Sequence, residues 1–131
     1  MKTILINILF LAMLNIAGFT QEVNSCYQEI NNRDCNLLLE TKNPLIIDVR
    51  IKKAFRKERL IGAISAPDKE KLKESLKSTD KNTPILVYCE EGSRSRTAAE
   101  IICDEFHFEK VYNLDKGIKD WKTKGYPIDS K

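Results

Sequence analysis

The hydrophobic pattern changes character several times along the chain, and each change marks an element. Residues 36–41 read as the end of a short helix stopped before Asn43-Pro44. Leu45-Ile46-Ile47-Asp48-Val49 follows as a compact apolar run with β-branched members, the signature of a buried parallel strand. From Lys69 to Lys77 only Leu72 and Leu76 are apolar, four apart among charges, which predicts a surface helix with a narrow buried stripe. Asn82-Thr83-Pro84 marks a turn, and Ile85-Leu86-Val87-Tyr88 predicts a second buried strand running straight into Cys89. Beyond Ser93, the residues Ala98, Ala99, Ile101, Ile102 and Phe106 repeat at helical spacing as far as about Glu105. Val111-Tyr112-Asn113-Leu114 reads as a last short strand, followed by Gly117, a helix carrying Ile118 and Trp121, and the closing turn Gly125-Tyr126-Pro127. Strands alternating with helices predict an α/β domain with a mainly parallel sheet. Ligands of such sheets bind beyond the carboxyl ends of the strands. Asp48-Val49-Arg50 and Cys89 both sit at such ends, so the pattern places them at one crevice.

The first twenty residues do not belong to this alternation. Met1-Lys2 gives a short positive start, Ile4 to Ile16 is apolar apart from Asn7 and Asn15, and Gly18 and Thr20 are small residues suited to a cleavage site before Gln21. This is the layout of a secretory signal peptide, so residues 1–20 are expected to be a leader and 21–131 the domain. The apolar run is shorter than the roughly 20 helical residues that span a bilayer. The product is therefore expected to be exported, periplasmic or secreted, and not to stay inserted in a membrane. A retained anchor, or acylation at Cys26, are the alternatives for this segment.

Composition is ordinary for one soluble domain, with 42% hydrophobic and 31% charged residues and a formal net charge of +3. Lys and Arg are interleaved with Asp and Glu, which argues against a nucleic-acid partner. The four cysteines, at 26, 35, 89 and 103, form no Cys-x-x-Cys pair, and His107 is the single histidine. That disfavours zinc and a thioredoxin-type redox pair. In an exported protein Cys26 and Cys35 are candidates for a small local disulfide, although spacing alone supplies no geometry. Cys103 reads as a buried helix cysteine, with a resolving thiol toward oxidised Cys89 as the alternative. His107 is expected at a helix end, and Trp121 and Tyr126 as packing residues.

The stretch that carries chemistry is Cys89-Glu90-Glu91-Gly92-Ser93-Arg94-Ser95. A cysteine at a strand end, a tight loop and a helix start aim loop amides and the free donors of the first helical turn at the sulfur. That cradle favours a thiolate, a persulfide anion or a bound oxyanion. Gly92 permits the required backbone path, Arg94 adds a positive charge at the mouth, and Ser95 caps the helix or donates into the loop. Cys89-x-x-Gly92-x-Arg94-Ser95 resembles the active-site loop of rhodanese-like domains. Ile47-Asp48-Val49-Arg50 with Phe55, Gly62-Ala63-Ile64 with Pro67, and the terminal run from Val111 through Trp121 to Pro127 are similar to that family's other segments, in the same order.

The resemblance implies a five-stranded, mainly parallel sheet with helices on both faces, and a sulfurtransferase in which Cys89 accepts sulfur and holds it as a persulfide. Residues 90–95 would bind substrate, while Asp48 and Arg50 would support the crevice by pairing and capping. The reaction calls for a small sulfur donor and a thiophilic acceptor, with a partner protein as a further option. It needs no metal or organic cofactor, and a monomer is expected. Glu58-Arg59 and Lys116-Gly117 depart from the family's Gly-His and paired glycines. Glu90 and Glu91 oppose an anionic donor such as thiosulfate, which favours a less charged persulfide, a polysulfide or a basic partner protein. Two rivals stand beside this reading. One is a non-catalytic binding or redox-sensing module. The other is a cysteine phosphatase or arsenate reductase, whose loop places its arginine one residue further on.

Overall fold

In the computed structural model the described residues are 25–130, so the expected leader lies outside them. Within that range the chain forms β1 (Gln28–Ile30), α1 (Asn32–Lys42), β2 (Leu45–Asp48), α2 (Lys52–Lys57), β3 (Glu58–Arg59), β4 (Ile64–Ser65), α3 (Lys69–Leu76), β5 (Ile85–Tyr88), α4 (Ser93–Glu100), β6 (Val111–Leu114), α5 (Gly117–Thr123) and β7 (Asp129–Ser130). Five strands make one parallel sheet in the order β1-β6-β5-β2-β4, as the resemblance implied. β3 and β7 pair antiparallel as a separate ribbon.

Alternation along the central strands divides the core into two layers. Ile47, Ile85, Val87 and Val111 face α3 and α4, meeting Leu72, Leu76, Ala98, Ala99 and Ile102. Ile46, Leu86, Tyr88 and Leu114 face the other way, onto Cys35 and Leu38 of α1 and Ile118 and Trp121 of α5. Helices cover both faces, which is why the central strands are apolar throughout rather than polar on alternate positions. The helix ends follow local chemistry. The Asn31 side chain accepts from the Asp34 amide at the start of α1, and Asp68 accepts from Lys71 at the start of α3.

The helix expected to run to Glu105 does so in two parts, because α4 passes into a π-helical turn over Ile101–Glu105 in which the Phe106 amide donates to the Ile101 carbonyl. His107 then ends it, exposed and at φ 61°, as expected of a helix-end residue. Trp121 is buried and stacks on Tyr126 with ring centroids 4.4 Å apart. Among the described residues no helix is long and apolar enough to cross a membrane.

The cysteine expectations change. Cys26 bonds to Cys103, with Cα atoms 5.9 Å apart, while Cys35 is a buried free thiol. The reason is the layering. α1 carries Cys35 to the α1/α5 side of the sheet, and Cys103 belongs to the α3/α4 side, where Cys26 meets it ahead of β1. The local Cys26–Cys35 pairing is thereby overturned. Bonded in this way, Cys103 is neither a free helix cysteine nor a thiol available to resolve Cys89.

Candidate active site

β2 and β5 lie side by side in register, with Asp48 opposite Tyr88. Their carboxyl ends therefore deliver Asp48-Val49-Arg50 and Cys89 to one crevice, and the Val49 amide still donates to the Tyr88 carbonyl at 3.0 Å. Asp48 is fully buried and would be costly there without a partner. Arg50, also buried, supplies one. Its Nε lies 3.1 Å from both carboxylate oxygens and its Nη2 2.7 Å from Oδ2. Nη2 also donates to the Glu58 carbonyl at 2.6 Å, and Nη1 reaches Glu90 at 3.2 Å. Burial opposes the guanidinium charge, but the hydrogen bonds and charge of Asp48 outweigh it and hold Arg50 more firmly protonated than usual. Tyr88 is buried beside this pair, and its phenol oxygen accepts from the Leu60 amide at 3.0 Å. Burial, reinforced by the Asp48 carboxylate, raises its ionisation well above the ordinary tyrosine range.

Cys89 follows directly on β5 and is almost wholly buried. Sγ accepts from the Gly92 amide at 3.1 Å, the Ser95 amide at 3.4 Å and lies 3.3 Å from the Ser95 hydroxyl. The same hydroxyl lies 3.1 Å from the Gly92 carbonyl, so its single proton serves one acceptor at a time. α4 has no side-chain N-cap. The cysteine sulfur takes that place, accepting the first-turn Ser95 amide together with the amide of the N-cap residue Gly92.

Two glycines allow this packing. Gly92 has φ 98°, and a Cβ there would stand 2.0 Å from the Asp115 carbonyl oxygen. Gly117 has φ 68°, and a Cβ there would stand 2.3 Å from the Glu90 carbonyl oxygen. With that approach open, the Ile118 and Lys119 amides of α5 donate to the Cys89 and Glu90 carbonyls at 3.0 and 3.1 Å. The departure at Lys116-Gly117 thus keeps the glycine that the contact requires.

A cavity of about 420 Å³ opens over the sulfur, lined by Arg50, Ile51, Ala54, Cys89, Glu90, Glu91, Ser93 and Arg94. A larger hollow of about 750 Å³, between α3 and the π-helical turn, is lined by none of the loop residues. The rhodanese-like domain model matches residues 31–124.

The chain belongs to the rhodanese-like domain family.

Among curated relatives, the thiosulfate sulfurtransferase GlpE of Coxiella burnetii is 30% identical over 97 residues, covering 74% of this chain and 89% of the relative. The GlpE of Shewanella oneidensis is 28% identical over 97 residues, covering 74% and 94%. Among solved structures, the rhodanese-like domain of an Anabaena protein superposes with a TM-score of 0.70 at 23% identity, covering 79% of each chain. A thiosulfate sulfurtransferase from Pseudomonas aeruginosa gives 0.71 at 20% identity, covering 79% of this chain and 20% of that one. These structures share the fold, and the sequence relatives place sulfurtransferase activity in the family.

Within this rhodanese-like domain the expected site residues separate into roles by position. Gly92 and Ser95 are buried and hold the sulfur, whereas Glu90, Glu91, Ser93 and Arg94 are exposed at the mouth. Arg94 has no ion-pair partner among the described residues. The two glutamates are not the bare negative pair that the sequence suggested. Glu90 pairs with Arg50 and Glu91 with Lys119, each at 3.2 Å. Arg50 also serves Asp48, so its charge is shared between the two carboxylates, while the Glu91–Lys119 pair is exposed on both sides.

Two residues escaped the sequence reading. Asn113, fully buried in β6, donates to the Gly92 carbonyl at 3.2 Å and to Glu29 of β1 at 2.8 Å. Glu29 also accepts from Arg96 of α4 at 2.8 Å. An asparagine in the middle of a buried strand was the available signal, since such a side chain needs partners.

Proposed function

We propose that the chain is an exported, single-domain sulfurtransferase that carries sulfane sulfur as a persulfide on Cys89. The observation that carries this reading is the Cys89 sulfur, facing the two loop amides and the Ser95 hydroxyl in a cavity whose rim holds Arg94, which has no ion-pair partner among the described residues.

In the first half-reaction the Cys89 thiolate attacks the outer, sulfane sulfur of the donor. A new S–S bond forms, the donor's own bond to that sulfur breaks, and its electron pair leaves with the departing group. In the second, an acceptor thiolate or cyanide attacks the outer sulfur of the persulfide, and the electron pair of the broken S–S bond returns to Cys89. Splitting the transfer into two displacements is nucleophilic catalysis. The loop amides stabilise anionic sulfur at both stages because they are already oriented. Arg94 holds the donor's charge, and the Asp48–Arg50–Glu90 chain keeps the crevice wall in place. Four residues separate Cys89 from Arg94, which suits a sulfur atom better than a tetrahedral phosphate.

Export is supported by the leader-like pattern of residues 1–20 and by a disulfide that an oxidising compartment would maintain. Intact-mass measurement after exposure to thiosulfate or a polysulfide tests the chemistry. The expected result is a gain of one sulfur atom in the wild type that cyanide removes and that Cys89→Ser abolishes. An adduct that persists in Cys89→Ser would overturn the assignment.

A further inference from the structure

The cations of α2 are the feature that the site chemistry does not use. The helix reads Lys52-Lys53-Ala54-Phe55-Arg56-Lys57 and borders the cavity, yet of these residues only Ala54 lines it, alongside the preceding Arg50 and Ile51. Lys52, Lys53, Arg56 and Lys57 are all exposed, and none has an ion-pair partner among the described residues. The carboxylates around them are already engaged. Glu58 pairs with Lys122, Asp129 with Arg59, Glu90 with Arg50 and Glu91 with Lys119. One wall of the mouth therefore carries acids that are already ion-paired, Arg50 being shared between Asp48 and Glu90, and beside the other stand four positive charges without a partner among the described residues. Beside them Ile51 is 58% exposed, an apolar side chain at the cavity edge.

Resting on the persulfide reading, we infer that α2 and Ile51 form a docking surface for an acidic polypeptide whose cysteine takes the sulfur from Cys89. A small anion seated over Cys89 meets Arg94 and the loop, not the outward cations of α2. Only a partner extending past the rim reaches them. The small cavity serves the donor, and the rim serves the acceptor. In the transfer the partner's cysteine thiolate attacks the outer sulfur of the Cys89 persulfide. The partner's S–S bond forms, the Cys89 S–S bond breaks, and Cys89 leaves as thiolate with no net oxidation. A protein segment fits better than nucleic acid, because six helical residues extend only about 9 Å. Nucleic-acid affinity is built from many phosphate contacts along a stripe.

The test uses a short peptide with one cysteine flanked by glutamates, and its twin with glutamines. Wild type and the combined variant Lys52→Gln, Lys53→Gln, Arg56→Gln, Lys57→Gln are first loaded with sulfur from thiosulfate, then mixed with each peptide at low salt. The expected result is transfer to the glutamate peptide about tenfold faster from wild type, an advantage lost in the variant and at high salt, while transfer to cyanide is unchanged. Equal rates for the two peptides, or an advantage that survives neutralisation, overturn the inference. Anisotropy of the labelled peptides on Cys89→Ser measures docking without chemistry. If no donor loads Cys89, the sulfurtransferase reading fails, and this binding still decides the docking surface. Tighter binding of duplex DNA than of the glutamate peptide overturns the inference in favour of nucleic acid.

Discussion

Cys89 and Cys35 are both buried free thiols, yet their surroundings differ in kind. The Cys89 sulfur faces donors and a cavity. Cys35 faces apolar side chains of the α1/α5 layer, and burial, with a smaller push from Asp115, raises its thiol to about 12. From this a pH dependence follows. In the unfolded chain Cys35 loses its proton near the ordinary 9.0, whereas in the folded protein it keeps it to about 12. Its contribution to stability is therefore complete below pH 9 and is lost as pH rises toward 12. Between pH 8 and 10 the unfolding free energy should fall by about 1 kcal/mol from this group, a loss absent in Cys35→Ala. Denaturant titrations at both pH values measure it. Tyr88 acts in the same direction at higher pH, since its ionisation is also raised.

At the scale of elements, the Cys89 loop is gripped from two sides. α5 meets it through backbone amides, and β6 meets it through the single side chain of Asn113. β1 is an edge strand of three residues and packs little surface of its own. Glu29 gives it a second hold, joining Asn113 and Arg96 and so tying β1 to the start of α4. Asn113→Ala should cost about 1–3 kcal/mol, because the Gly92 carbonyl and the Glu29 carboxylate both lose a donor. It should also slow sulfur loading more than it weakens donor binding, seen as a fall in kcat with little change in KM. A loss of stability with full kcat would show Asn113 to be structural only. This link was not legible beforehand. Period-two patterning marks Val111 to Leu114 as a strand but does not say which loop a buried amide reaches, since that depends on sheet order. The strands β2, β5 and β6 and helices α3 and α5 were legible, because their apolar spacing is dictated by burial on known faces. β1, β3, β4 and β7, with two or three residues each, are too short to show any period.

At the scale of the whole molecule, the Cys26–Cys103 disulfide joins the start of the described chain to the end of the α4 face across a sequence separation of 77. A loop of that size removes substantial entropy from the unfolded chain, worth about 4 kcal/mol on the loop-closure model. Cys26→Ser with Cys103→Ser should lower the unfolding free energy by about that amount, and wild type with a reductant should behave alike in denaturant titration. Reduction should leave Cys89 able to load sulfur wherever the protein remains folded, because the disulfide and the loop sit at opposite ends of the helical segment that begins at Ser93.

Local periodicity and short spacings were enough for the alternating α/β order, the strand-end position of Cys89 and the loop with Gly92, Arg94 and Ser95. Tertiary structure alone decided three other matters. It set Cys26 against Cys103 and not Cys35, since the two sides of a sheet cannot be told apart until the crossovers are placed. It gave Glu90 and Glu91 their cations, from β2's end and from α5, distant in sequence and adjacent only once β5 lies between β2 and β6. And it left the charges of α2 without ion-pair partners among the described residues. The basic run itself stands in the sequence, and the pairing of its few nearby acids, Asp48 with Arg50 and Glu58 with Lys122, leaves it unanswered.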